Sequence, residues 1–125
     1  MSKNLLIVDD SNIIRNKIAR AMDAYGLSIV GMAPNGKAAL ELFRENRPQV
    51  VTMDLTMPEM DGIGCIRAIR TLDPAVRILV VSALADKATA IQALKEGAQG
   101  FLCKPFTDDE LAAAIGELLD EEEHD

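Results

Sequence analysis

The sequence contains a single histidine, His124, and it lies in the acidic stretch "DEEEHD" at the C-terminal end. One histidine so placed leaves no Ser-His-Asp or Cys-His centre. Cysteine is scarce too. Cys65 and Cys103 lack the spacing of a metal or C-x-x-C redox site. Both sit among apolar neighbours and are expected to be small, reduced core residues. Basic residues are outnumbered, with 13 Lys plus Arg against 20 Asp plus Glu and a formal charge of −7. Proteins bind nucleic acid largely by neutralising phosphates with cations, so this balance argues against direct nucleic-acid binding. No apolar run approaches the roughly 20 residues of a membrane span, so membrane insertion is not expected. The start "MSKNLL" lacks a secretory h-region and cleavage site, which leads us to expect a cytoplasmic protein.

The 125 residues, 49% of them hydrophobic, suit one domain with one core. A chain of this size buries roughly two thirds of its unfolded surface. Five short apolar runs stand out: "LLIV" (5–8), "LSIVGM" (27–32), "QVVTM" (49–53), "RILVVS" (77–82) and "GFLC" (100–103). The first, third and fourth are almost unbroken aliphatic stretches, as in central parallel strands covered on both faces.

Helical patterns separate them. Residues 11–25 place Ile14, Ile18, Ala21, Met22 and Tyr25 on one face, and 36–46 do the same with Ala39, Leu40 and Phe43. Ile63, Ile66 and Ile69 recur within 62–71, and Ala90, Ile91 and Leu94 within 86–96, where Gly97 can take the C-terminal cap. In the last helix Thr107 and Glu110 form a capping box and Phe106 can staple onto Leu111. Leu111, Ile115 and Leu118 then give its buried stripe. Five β-α repeats with short connections predict an α/β fold, a doubly wound parallel sheet with right-handed crossovers and helices on both faces.

The strand ends carry the chemistry. The first run stops at Asp9 and Asp10, the third at Asp54, the fourth at Ser82 and the fifth at Lys104. Ligands of open α/β sheets bind outside the carboxyl ends of the strands. Any one polar residue can mark a strand exit. Five at the same rim, three of them acids, are harder to explain that way. Two carboxylates about 4 Å apart repel by roughly 4 kcal/mol at an effective dielectric near 20. Three must raise their pKa values or hold a cation. A divalent ion together with Lys104 would cancel three carboxylates. An all-oxygen set with room for water and a phosphoryl oxygen suits Mg²⁺ better than Ca²⁺ or a soft metal. An aspartate beside Mg²⁺ and a lysine is also a candidate nucleophile that can accept a phosphoryl group.

"DD" after the first strand, "DLTMPEMDG" at 54–62, "VVSA" at 80–83 and "GFLCKPF" at 100–106 resemble, in order and spacing, the receiver domain of bacterial response regulators. The likeness covers essentially the whole chain. It implies a (βα)5 flavodoxin-like fold with strand order 2-1-3-4-5. It also implies that Asp54 accepts a phosphoryl group from a histidine kinase or phosphotransfer protein. Asp9, Asp10, Asp54 and the Thr56 backbone carbonyl would hold Mg²⁺. Lys104 and Ser82 would bind the phosphoryl oxygens. Ser82 and Phe101 would form the switch, and the Lys104–Pro105 bond would be cis. Asp10 can in addition N-cap the helix beginning at Ser11. Pro58 and Gly62 are expected to shape the loop, and Met57 and Met60 to pack.

Two further expectations follow from the resemblance. Thr56 and Leu84 stand two beyond Asp54 and Ser82, where the family tunes attack by water on the acyl phosphate. Leu84 cannot hydrogen-bond that water, so the phosphoryl group is expected to live longer than in relatives with an acid or amide there, and Leu84→Glu should change the dephosphorylation rate. Ile13, off the buried stripe of the first helix, is expected to be exposed, either as part of the face where the family's phosphodonor proteins dock or as a solitary apolar surface residue.

Residues 1–120 are expected to form the receiver domain and 121–125 an acidic tail, with no output domain following. That fits a signalling protein rather than an enzyme, binding a downstream target such as the flagellar motor switch through the fourth helix, fifth strand and fifth helix. A phosphorelay shuttle and a fragment of a longer regulator are the nearest alternatives. An Asp-nucleophile phosphatase of the haloacid-dehalogenase type is the rival enzyme, but "DLT" lacks its second acid.

Overall fold

The computed structural model describes residues 3–57, 61–83 and 87–123, with side chains as far as residue 119. Five strands, β1 (Asn4–Val8), β2 (Ser28–Ala33), β3 (Val50–Met53), β4 (Arg77–Ser82) and β5 (Gly100–Cys103), alternate with five helices, α1 (Asn12–Tyr25), α2 (Gly36–Asn46), α3 (Gly62–Leu72), α4 (Lys87–Glu96) and α5 (Asp108–Glu123). The strands form one parallel sheet in the order β2-β1-β3-β4-β5. The doubly wound α/β expectation holds, and so does the strand order.

Strand alternation sorts the core into two layers. Leu6, Val8, Val51, Met53, Ile78 and Val80 face α2, α3 and α4, meeting Phe43, Ile66 and Ile69. Leu5, Ile7, Val50, Leu79 and Val81 face α1 and α5, meeting Ile18, Met22, Leu111 and Ile115. Burial on both faces is why the central strands read as unbroken apolar runs.

Helix ends follow local chemistry. The Ser11 hydroxyl accepts from Ile14 N at 3.3 Å and is the N-cap of α1, so Asp10 is not. Asn35 and Asp61 cap α2 and α3 in the same way, at 2.8 and 2.7 Å. The Thr107–Glu110 capping box is formed, with bonds of 2.9 and 3.1 Å. Gly97 takes φ +127° after α4, as expected of a glycine there. Helix α5 continues through Glu123, so the first residues of the acidic stretch prolong the helix.

Three expectations about burial fail. Helix α4 buries Ala93, whereas Ile91 and Leu94 are 43% and 47% exposed. Apolar residues occupy several faces of this helix, and it meets α3 through its smallest side. Tyr25, the last residue of α1, is 46% exposed and lines a groove against α5 instead of entering the core. Cys65 is buried, but Cys103 is exposed because β5 is an edge strand and residue 103 is its last.

Candidate functional site

Pairing of β1 with β3 sets Val8 opposite Met53, so the two strands deliver Asp9 and Asp54 side by side. Their backbones are fixed: Asp54 N donates to Val8 O at 2.9 Å and Asp9 N to Ala33 O at 3.0 Å. On the other side, β4 and β5 pair Ser82 with Cys103, and Lys104 N donates to Ser82 O at 2.9 Å. Asp9, Asp54 and Ser82 are all buried, while Asp10 is exposed. The Lys104–Pro105 bond is cis.

One carboxylate oxygen from each of Asp9, Asp10 and Asp54 lies within 4.8 Å of the others. Lys104 Nζ stands 2.7 Å from Asp9 Oδ2 and 3.7 Å from Asp54 Oδ2. Its approach to Asp9 is an ion pair without hydrogen-bond alignment, so Asp9 Oδ2 remains a buried oxygen with no hydrogen bond. The other Asp9 oxygen accepts from Ser11 N at 2.9 Å, and Asp54 Oδ1 accepts from Thr56 N at 3.4 Å. Burial, and then the charge of Asp9, push the Asp54 carboxyl up to about 6, with Lys104 opposing. A cation among these oxygens would reverse that penalty. Every available ligand atom is a hard oxygen, and one of them is buried without a hydrogen bond. That donor set fits Mg²⁺.

Of the residues singled out from sequence, Asp9, Asp10, Asp54 and Lys104 meet directly. Thr56 is exposed in the loop beyond Asp54, and Ser82 is joined to Lys104 through the backbone. Phe101 stands apart, half-buried in β5 against the core of the α2–α4 face. Met57 packs on that same core. Leu84, Pro58 and Met60 lie outside the described residues.

Two cations of α1 make contacts near the site that the sequence did not signal. Arg15 Nη1 donates to the Asp9 carbonyl at 2.7 Å, and Lys17 Nζ to the Phe106 carbonyl at 2.6 Å. Both reach backbone acceptors, which leave no signature in side-chain pattern. No helix of the described residues is long and apolar enough to cross a membrane.

Comparison with known proteins agrees with this geometry. The family model described as "Response regulator receiver domain" matches residues 5–116. The chemotaxis protein CheY of Thermotoga maritima is 40% identical over 118 residues, covering 94% of this chain and 98% of that protein. CheY of Bacillus subtilis is 40% identical over 119 residues, covering 95% and 99%. Among solved structures, the CheX-CheY-BeF3-Mg²⁺ complex from Borrelia burgdorferi superposes with a TM-score of 0.91 at 29% identity, covering 94% of this chain and 89% of the matched one. Fold, rim of acids and whole-length similarity coincide, and the chain belongs to the response regulator receiver domain family.

Proposed function

We propose that this protein is a two-component response regulator that takes a phosphoryl group onto Asp54 and answers with a change of binding surface. The observation that carries the reading is the crowding of Asp54 by Asp9 and Asp10, with Lys104 Nζ facing both Asp9 and Asp54. A carboxylate pushed up to about 6 gains most from a nearby cation and from conversion to an acyl phosphate held by one.

Asp9, Asp10, Asp54 and the Thr56 carbonyl would hold Mg²⁺, and the similarity to a receiver solved with BeF3 and Mg²⁺ supports that choice. Bound there, Mg²⁺ supplies charge neutralisation for the transferring oxygens. An Asp54 carboxylate oxygen attacks the phosphorus of a phosphohistidine on a histidine kinase or phosphotransfer protein. The P–N bond breaks, a P–O bond forms, and the histidine nitrogen recovers its electron pair. Lys104 and the Ser82 hydroxyl bind the phosphoryl oxygens. Phosphorylation raises the local charge from about −1 to about −2, and the new oxygens draw on these donors. Phe101 turns inward as Ser82 is drawn over, and the face of α4, β5 and α5 is biased towards its target. Exposed Ile91 and Leu94 on α4 give that face apolar contact area. Driving such a two-state change from 1:99 to 99:1 needs about 5.5 kcal/mol of differential binding.

Whole-length similarity to chemotaxis proteins favours motor control in the cytoplasm, with the flagellar switch as target. Single-turnover labelling distinguishes this protein from a phosphatase. Mg²⁺-dependent incorporation should stop at one phosphoryl group per chain and vanish in Asp54→Ala. Continuous release of phosphate from small phosphoesters would instead identify an enzyme. A phosphorelay shuttle would pass the group on to a histidine of another protein.

A further inference from the structure

Lys17 carries an arrangement that the roles above leave unused. Its Nζ donates to the Phe106 carbonyl at 2.6 Å and stands 4.8 Å from the centroid of the Phe106 ring. An ordinary surface lysine keeps its ammonium in water. This one is half-buried and sets its ammonium against a carbonyl and an aromatic face, and a charged donor makes roughly twice the bond of a neutral one.

Phe106 is in turn fixed from two other directions. Its ring is buried with Leu111 in the layer shared by α1 and α5, and Thr107 starts the capping box of α5. Two residues before Phe106 is Lys104, whose backbone N–H is held by Ser82 O at 2.9 Å. The short segment that aims the Lys104 ammonium is therefore tied to β4 at one end and to α1 at the other. The Lys17 bond spans 89 residues of sequence. It joins the helix that begins beside Asp9 and Asp10 to the loop that supplies the cation.

We infer that Lys17 is a positioning residue for Lys104, holding the β5–α5 connection so that the Lys104 ammonium meets the oxygens of a phosphoryl group on Asp54. The inference rests on the phosphoacceptor reading of the site. It separates two functions of one pocket. Metal binding depends on the acids of β1 and β3 and does not need Lys17. Capture of the phosphoryl group depends on Lys104 and does.

The test uses the full chain with beryllofluoride as the phosphoryl mimic, followed by amide NMR shifts around Asp54. Affinities are measured for Mg²⁺ alone and for beryllofluoride at saturating Mg²⁺. Lys17→Met should weaken beryllofluoride roughly 3- to 10-fold while Mg²⁺ affinity stays within about twofold. Lys17→Arg, which keeps a charged donor, should recover most of the loss. If Lys17→Met unfolds, Lys17→Gln supplies a neutral donor and should fall between wild type and full loss. Equal weakening of Mg²⁺ and beryllofluoride, or no weakening of either in a folded variant, overturns the role of Lys17. Failure of the wild type to bind beryllofluoride overturns the phosphoacceptor reading itself and takes the inference with it.

Discussion

Gly62 lies so close to Asp54 that a Cβ on it would overlap the Asp54 carbonyl oxygen and the Cα of Leu55. Both are backbone atoms, which cannot swing aside as the end of a side chain can. Gly62 N also donates to Leu55 O at 3.1 Å, so α3 starts directly against the strand end that carries Asp54. Gly62→Ala must therefore move the acid or the helix. We expect a stability loss of about 1–3 kcal/mol and slower labelling of Asp54. Thermal unfolding and single-turnover labelling measure the two effects. Wild-type values for both would mean that the loop gives way freely.

The raised Asp54 carboxyl makes metal-free stability depend on pH, with a definite sign. Unfolded, the group releases its proton near 3.8; folded, it holds it to about 6. Between those values the native state binds more protons, so stability falls as pH rises from about 4 to about 6 and then levels. Asp54→Asn should remove that slope and be the more stable protein at pH 7. Denaturant unfolding of both proteins across this range, with chelator present, isolates the contribution. The same proton competes with a cation, so Mg²⁺ affinity should drop as pH falls below about 6, approaching tenfold per unit.

Arg70 ties the far end of α3 to α4. Its Nη1 donates to the carbonyls of Pro74 and Val76, each at 2.7 Å, and its Nη2 to that of Gly97. Burial lowers its pKa, as expected of a guanidinium drawn out of water. Arg70→Met would take this donor from the Pro74 and Gly97 carbonyls and leave Val76 O with its 3.3 Å bond from Gln99 Nε2. A loss of about 2–4 kcal/mol in denaturant unfolding is expected, with Asp54 labelling unchanged in the folded variant.

The two thiols should differ sharply in reactivity. Burial, and then the charge of Asp61, push the Cys65 thiol up to about 12, whereas Cys103 is exposed. Native protein at pH 8 should take up one equivalent of a thiol reagent, at Cys103, and a second only in denaturant. Peptide mapping after brief labelling decides which cysteine reacted.

Ile13 is 78% exposed in the first turn of α1, the helix that follows Asp9 and Asp10 in the chain. If a phosphodonor protein docks there, Ile13→Ala should slow transfer from that protein several-fold. Labelling of Asp54 by a small-molecule phosphodonor should stay unchanged, since the small donor needs no docking face. Equal rates with the protein donor would make Ile13 a solitary apolar residue of the surface, which is common.

Much of the fold was legible because its rules are local. Alternating β and α patterns, the capping box at Thr107 and the glycine at 97 each depend on a few neighbouring residues. The site was legible for a related reason. A parallel sheet gathers the C-terminal ends of its strands, so Asp9, Asp54 and Lys104 meet wherever the strands pair in this order. The orientation of α4 was not legible. Alanine, isoleucine and leucine occupy several of its faces, and periodicity cannot choose among them. Ser11, rather than Asp10, became the α1 cap, because the Asp9 carboxylate takes the Ser11 N–H and sets where the helix begins.

By itself the sequence determined the order of elements, the residue types at each strand end and the excess of negative charge that calls for a cation. Tertiary structure alone decided which charge meets which. Lys104 pairs more closely with Asp9 than with Asp54, at 2.7 against 3.7 Å, and Lys17 closes on a carbonyl of the opposite loop. Coulomb energy varies inversely with distance and with the local dielectric, and both are set by packing between segments distant in the chain.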